Sequence, residues 1–201
     1  MTITLAISTS SPALSLALDE DGRLLSRHHA IIGRGHAEAL IPAIIAMLGT
    51  VRPHAILVDV GPGSFTGIRI GIAAARALGL AWGVPVAGFS AVSLAAAAAF
   101  AARPGLDSVT VLLDAGRGQI LQSQVGADGV TTDIVLSAAP ILAPATPVAG
   151  AGVALLARQD LDIVHGDQPD AANAAGLPLA VRNLHPAALY VRAADAVMPL
   201  A

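Results

Sequence analysis

The sequence predicts an α/β fold in which an antiparallel meander leads into strand–helix–strand repeats, followed by a reduced second lobe of similar plan. Three short strand-like runs separated by tight turns open the chain, at Ile3–Thr9, Ala13–Leu18 and Arg23–His29. After them, apolar runs of strand length alternate with segments of helical spacing. One stretch, Val58–Trp82, passes from a buried-strand pattern through a glycine-rich turn into a helix with an unusually smooth side.

Each element follows from local chemistry. Ser10-Ser11-Pro12 separates the first two strands and Asp19–Gly22 the next pair, and connections this short imply antiparallel pairing. Gly33-Arg34-Gly35 then breaks the chain. From Ala37 to Leu48 the residues Leu40, Ile41, Ile44, Ile45 and Leu48 recur at helical spacing, and Pro42 fits only in a first turn or at a kink. Ala55–Val60 is nearly all apolar, as in a strand covered on both faces. The helix Thr66–Trp82, capped by Ser64 or Thr66, is followed by a short strand at Val84–Gly88 and an alanine-rich helix from about Ser90. A meander feeding right-handed parallel crossovers is the plan of actin-like and ribonuclease-H-like domains.

Arg103-Pro104-Gly105 is the expected boundary between an N-terminal domain, 1–103, and a reduced C-terminal domain, 104–201. In the second part Val109–Leu113 and Gln119–Val125 read as a hairpin about Asp114–Gly118, and Thr131–Leu136 adds a strand. A proline-rich loop (Pro140, Pro144, Pro147) leads to Gly150-Ala151-Gly152 and a short helix. A strand at Leu161–Val164, a helix at Asp170–Ala175 and the segment Leu189–Arg192 complete it.

Composition narrows the function classes. A hydrophobic fraction of 55% excludes disorder as the main state, but only 2% of residues are aromatic, so alanine supplies much of the core. A net charge of -3 gives no general attraction to nucleic acid. The absence of cysteine closes disulfide and thiolate chemistry. The most apolar run, Ala91–Ala102, falls well short of the roughly 20 residues that span a bilayer. No basic region precedes an apolar one at the start of the chain. The expectation is a soluble, cytoplasmic protein without membrane contact.

The glycine-rich turn invites a phosphate-loop reading, which its details resist. Gly67 is followed by Ile68-Arg69 rather than the lysine and serine or threonine of a Walker loop, and Gly61, Gly63 and Gly67 miss the dinucleotide-binding spacing. Gly63, Ser64 and Thr66 remain a weak candidate for a phosphate contact. His36 and Glu38 point in different directions on a helix and His28 and His29 to opposite faces of a strand, so no metal site is expected. Asp59 and Asp114 stand near strand ends, yet the first strand reads Ile7-Ser8-Thr9 without an acid, whereas magnesium-assisted phosphoryl transfer wants several converging carboxylates. No catalytic residue is assigned.

Gly67, Gly71, Ala75 and Gly79 recur every fourth residue and stack along one ridge of their helix. Glycine costs roughly 1 kcal/mol against alanine inside a helix, so such a ridge makes sense where another backbone comes close. That backbone belongs either to this chain's own sheet or to a partner helix, and Ile68, Ile72, Arg69 and Arg76 flank the ridge.

The segments Gly61–Gly71 (GPGSFTGIRIG) and Ala74–Gly79 resemble the signature of the TsaB (YeaZ) family. Ile7–Ser10, Gly35–Glu38, Leu40–Pro42, Gly88–Ser90, Leu113–Ala115 and Leu189–Arg192 extend the likeness over most of the chain. The resemblance implies an actin-like (ASKHA) fold with a shortened second domain. It further implies a non-catalytic scaffold subunit in the formation of threonylcarbamoyladenosine beside the anticodon of tRNA. The expected partners are TsaD, which holds the metal and transfers the threonylcarbamoyl group, and the ATPase TsaE, with a homodimer when the chain is alone and tRNA contacted indirectly. No cofactor is expected in the isolated subunit, and ATP or ADP only at a complex boundary. Combined with the ridge, the resemblance places the partner interface on His36, Leu40, Ile44, Gly67, Ile68, Gly71, Ile72, Ala75 and Gly79. The alternatives are an autonomous actin-like ATP-binding enzyme and a glycoprotease-like metallopeptidase. Ser8 stands where the family usually has aspartate, and Leu121 where it usually has tyrosine.

Overall fold

The structure, a computed structural model, describes residues 1–129, 131–138, 142–143, 145–156 and 160–191. Two five-stranded sheets share one plan. In the first, β1 (Ile3–Ser8), β2 (Ala13–Glu20) and β3 (Arg23–Ile31) form an antiparallel meander. Parallel strands β4 (Ala55–Asp59) and β5 (Val86–Phe89) extend it beyond β1, giving the order β3-β2-β1-β4-β5. In the second, β6 (Ser108–Asp114), β7 (Ile120–Gly126) and β8 (Val135–Ser137) form the meander, and β9 (Pro147–Ala149) and β10 (Asp162–His165) run parallel beyond β6. The order β8-β7-β6-β9-β10 is that of the first sheet, strand for strand. This is the actin-like, ribonuclease-H-like plan expected from the order of elements.

Three helices cover the first sheet. Helices α1 (His36–Leu48) and α2 (Phe65–Trp82) lie side by side on one face. Leu5, Ile7, Leu14, Leu16, Ile56 and Val58 point toward them and meet Leu40, Ile44, Ile68 and Ile72. The alternate residues Ala6, Ala17 and Leu57 face the other way, toward Leu94 of α3 (Ala91–Ala102), as the two-residue period of a strand requires. Helix α3 is also buried against the second sheet, where Ala91, Ala95, Ala96 and Ala99 meet Val109, Val111, Leu121 and Ala149. A helix pressed between two sheets has no polar side to spare, and alanine lets both sheets come close. That is the reason for the alanine run. Among the described residues, no helix is long and apolar enough to cross a membrane.

Several sequence expectations are corrected. Pro42 lies well inside α1, on its exposed side, where the chain continues helical past it. Strand β5 starts two residues later than expected because Val84 N–H bonds back to the Gly79 carbonyl at the end of α2. The proline-rich segment is not all loop: Pro147 opens β9, in the first position of a strand, where a missing N–H is tolerated. Pro140 and Pro144 lie outside the described residues. Of Thr131–Leu136, only its end joins β8, and Thr131 makes a single bridge to Val125. The two helices expected in the second half are 3-10 turns, Ala151–Leu155 and Ala171–Gly176, the latter capped by Asp170. Nor does everything beyond 104 stay with the second sheet. Ala171, Ala174 and Leu177 pack on Ala6, Ala17 and Leu57 of the first, because Ser15, Arg27 and His29 hold Asp170 there. Leu184 then pairs with Gly88, and Leu189 N–H donates to the Val60 carbonyl at 2.7 Å.

The Gly67→Ala variant is expected to lose about 3 kcal/mol or more of stability, since its Cβ would sit inside the Thr9 carbonyl. Denaturant unfolding measures it, with Gly176→Ala as a control for added bulk, because Gly176 has open space around it and no positive φ.

Candidate functional site

Strand β4 ends on Asp59, which is fully enclosed. Its Oδ2 accepts from Ser8 Oγ at 2.7 Å and Ser10 Oγ at 2.5 Å, and its Oδ1 accepts from Gly61 N–H at 2.8 Å. Burial pushes this carboxyl above its ordinary range, and the bonds from Ser10, Ser8 and Gly61 offset part of the rise. The group therefore ties the end of β1 to the turn after β4, and its oxygens are committed to that task. Asp114, at the end of β6, is exposed instead, with one oxygen accepting from Gly116 N–H at 2.7 Å.

The glycine-rich turn is pinned to the same strand end. Ser64 N–H donates to the Ser10 carbonyl at 2.6 Å, and Thr9 Oγ1 donates to the Gly67 carbonyl at 2.8 Å. Ser64 Oγ caps α2 by accepting from Gly67 N–H at 3.3 Å, which decides between the two capping candidates. Of the weak phosphate candidates, Gly63 and Ser64 make contacts within the chain, and Thr66 is exposed in the first turn of α2. Gly63 is pressed against the Ser10 backbone, and both the amide and the hydroxyl of Ser64 are engaged within the chain.

The smooth ridge of α2 faces this chain's own sheet. A Cβ on Gly71 would lie 2.5 Å from Thr9 Oγ1, one on Gly67 would overlap the Thr9 carbonyl, and one on Gly79 would overlap Val86. Ile68, Ile72 and Ala75 are buried beside them. On α1 the same holds for Leu40, Ile44 and His36, whose Nε2 donates to the Ala13 carbonyl at 3.2 Å. The nine residues expected at a partner interface are thus enclosed within the chain, and the physical reason is the close approach of both helices to the sheet.

The opposite face of these helices is open and largely apolar. On α1 it carries Ala37, Glu38, Ile41, Pro42, Ile45 and Ala46, with Ile45 65% exposed. On α2 it carries Arg69, Ala73, Arg76, Ala77, Ala81 and Leu80, the last 88% exposed. Large apolar side chains this exposed stand on two neighbouring helices.

Two further clusters had no local signal in the sequence. Phe65 and Tyr190, both partly exposed, stack with centroids 4.9 Å apart. Arg69 lies over the Phe65 ring at 3.7 Å and donates from Nε to Tyr190 Oη at 2.8 Å. On the far side of the first sheet, Asp170 accepts from Ser15 Oγ at 3.0 Å, from Ala172 N–H at 2.9 Å and from Arg27 Nε at 2.6 Å, with His29 3.8 Å away. Here Asp170 binds the serine rather than the histidine, so the trio is a tether and not a hydrolytic triad. Burial raises the Asp170 carboxyl, but the bonds from Arg27, Ala172 and Ser15 and the proximity of His29 outweigh it and leave it below its ordinary range. Among the described residues, no three His, Asp or Glu side chains converge as a metal-holding group.

Comparison with known proteins gives this geometry a family. A family model described as "TsaD: tRNA N6-adenosine threonylcarbamoyltransferase" matches residues 28–145. The tRNA threonylcarbamoyladenosine biosynthesis protein TsaB of Escherichia coli is 33% identical over 129 residues, 62% of this chain and 55% of that protein. The solved structure of YeaZ from Pseudomonas aeruginosa superposes with a TM-score of 0.70 at 28% identity, covering 86% of this chain and 88% of that one. The chain belongs to the TsaB (YeaZ) family. It is also 32% identical, over 116 residues, to the tRNA N6-adenosine threonylcarbamoyltransferase of Corynebacterium diphtheriae, 56% of this chain and 33% of that enzyme. The match to the E. coli relative spans about half of that relative's length.

The Asp170 tether makes a signed prediction. Because its folded-state carboxyl lies below the ordinary range, the ionised form stabilises the native chain above that range, and this contribution is lost as pH falls toward the folded-state value. Asp170→Asn should lose about 2 kcal/mol at neutral pH, and its deficit against the wild type should shrink near pH 3, read by denaturant unfolding at both pH values.

Proposed function

We propose that this chain is a non-catalytic subunit of an assembly that forms threonylcarbamoyladenosine on tRNA, docking on TsaD through the outer face of α1 and α2. The observation that carries the docking reading is the pair of exposed apolar side chains, Ile45 and Leu80, on helices held side by side by their buried faces. The names of the relatives support the pathway. Similarity to a transferase as well as to TsaB supports the mode of docking. Two related subunits can meet through equivalent helices about a pseudo-twofold axis, as two identical copies do about a true one. The same face would then pair two copies of this chain when no partner is present.

The non-catalytic reading rests on the carboxylates. Asp59 is consumed by Ser8, Ser10 and Gly61, and Ser8 replaces the acid expected on β1. TsaE would join through the pair of TsaD and this chain, tRNA would be reached through TsaD, and ATP or ADP would sit at a subunit boundary.

Ile45→Asp combined with Leu80→Asp tests the surface directly. Both side chains are exposed, so the melting temperature should stay within a few degrees of the wild type, while co-elution with purified TsaD is lost. Unchanged co-elution would refute the assignment of this face. Turnover of ATP by the isolated chain with magnesium would instead favour the autonomous actin-like enzyme.

A further inference from the structure

The C-terminal segment, on its return to the first sheet, shapes two cavities. Leu189–Val191 border a cleft of about 680 Å³ between the two sheets, which the turns after β1, β4 and β6 also line. Before that, the same segment passes under the opposite end of the first sheet, where Leu179 and Arg182 help wall a pocket of about 400 Å³. Strand pairing places this pocket. Thr4 stands opposite Asp19 on one side and Ala55 on the other, so the three form one row across β2, β1 and β4. Alternation puts that row on the face that carries Ala6, Ala17 and Leu57, away from α1 and α2. The volume lies in the range of small-molecule sites.

The charges of the pocket select its ligand. Asp19 is only 5% exposed, and its Oδ1 accepts from Gly22 N–H at 3.0 Å. Burial pushes this carboxyl above its ordinary range, and the Gly22 bond and the charge of Arg182 offset part of the rise. A carboxylate this enclosed gains much from an incoming cation. Arg182, half-buried, donates from Nη1 to the Ala175 carbonyl at 3.4 Å and acts on Asp19 through space. Among the described residues, no side-chain cation closes an ion pair with Asp19. Opposite charges thus share one pocket and stay apart. Asp21, the other carboxylate on the lining, is taken by Thr2 N–H at 2.9 Å. A simple cation would meet Asp19 but face the charge of Arg182, and a simple anion would meet the reverse. A molecule that carries both an ammonium and a carboxylate satisfies each. Leu57 and Leu179 add a short apolar wall, which suits a small aliphatic group.

We propose that this pocket binds a small α-amino acid as its zwitterion, the ammonium donating to Asp19 and the carboxylate accepting from Arg182. The two charged groups of an amino acid share one carbon and point apart. One small molecule therefore meets both side chains where they do not meet each other. Bound there, it joins the end of β2 to the returning segment by a contact that the chain does not itself make. The pocket lies on the face of the sheet away from α1 and α2, so its failure and that of the docking proposal are separable.

Titration of the full isolated chain, followed by the amide chemical shifts of its isotope-labelled backbone, tests this with three probes. They are L-alanine, propionate, which lacks the ammonium, and ethylamine, which lacks the carboxylate. L-Alanine should bind and shift the amides of Gly22, Leu179 and Asn183. Propionate and ethylamine should each bind about tenfold more weakly, the effect of losing one charge-assisted hydrogen bond. Asp19→Asn keeps an acceptor for Gly22 N–H. It should weaken L-alanine about tenfold without weakening propionate. Arg182→Gln should weaken L-alanine to a similar extent without weakening ethylamine, and it stands as the independent variant should Asp19→Asn perturb folding. No binding of L-alanine would overturn the proposal. So would propionate or ethylamine binding as tightly as L-alanine, shifts confined to residues away from the pocket, or an affinity that the folded variants leave unchanged.

Discussion

At the end of β1 the backbone of Thr9 and Ser10 lies against Gly63 and Gly67 more closely than any side chain would allow. Thr9 Oγ1 donates to the Gly67 carbonyl, Ser64 N–H donates to the Ser10 carbonyl, and Ser8 and Ser10 grip Asp59 one strand away. The hydroxyls that make these bonds sit in the run Ser8-Thr9-Ser10, which explains why small polar residues occupy a buried strand end. Because α2 is fixed at this point, its Gly71 and Gly79 lie on the sheet and its Arg76 and Leu80 turn outward. The orientation of the outer face and the wall of the cleft both depend on one backbone contact.

The second half repeats the device on a smaller scale. Gly150 and Gly152, after β9, press on the Leu112 backbone as Gly63 and Gly67 press on Ser10 and Thr9. The 3-10 turn Ala151–Leu155 then stands where the first half has the long helix α2. The sheet plan is retained while the covering helices shrink, and the C-terminal segment returns to the first sheet through Asp170, Leu184 and Leu189. That return, together with α3 buried between the sheets and the Arg103–Asp162 ion pair from its end to β10, joins the halves around the cleft.

Much of the fold was legible because strand and helix periods are local. The meander, the apolar β4 and the four-residue ridge of α2 all announce themselves within a few residues. The direction in which the ridge points was not legible, since small residues at that spacing suit a sheet and a partner helix equally well. The close approach of Gly67 and Gly71 to Thr9 and of Gly79 to Val86 decides it, and that approach exists only once the helix is placed on the sheet. Strand β9 was hidden by Pro147, whose usual message is loop. The Asp170 tether joins residues 155 positions apart, and the Phe65–Arg69–Tyr190 group joins others 121 apart. Such distances leave no periodic trace. Asp59 stood out as an acid at a strand end, but that it spends its oxygens on Ser8 and Ser10 is a matter of three-dimensional arrangement.

The central claim is that TsaD covers the outer faces of α1 and α2. Hydrogen exchange of the chain, free and mixed with TsaD, reads that surface directly. Docking there predicts slowed exchange in peptides spanning His36–Leu48 and Phe65–Trp82, with Ser108–Asp114 and Ile120–Gly126 unchanged. Protection confined to the second sheet, or none in a mixture shown to be bound, would contradict it.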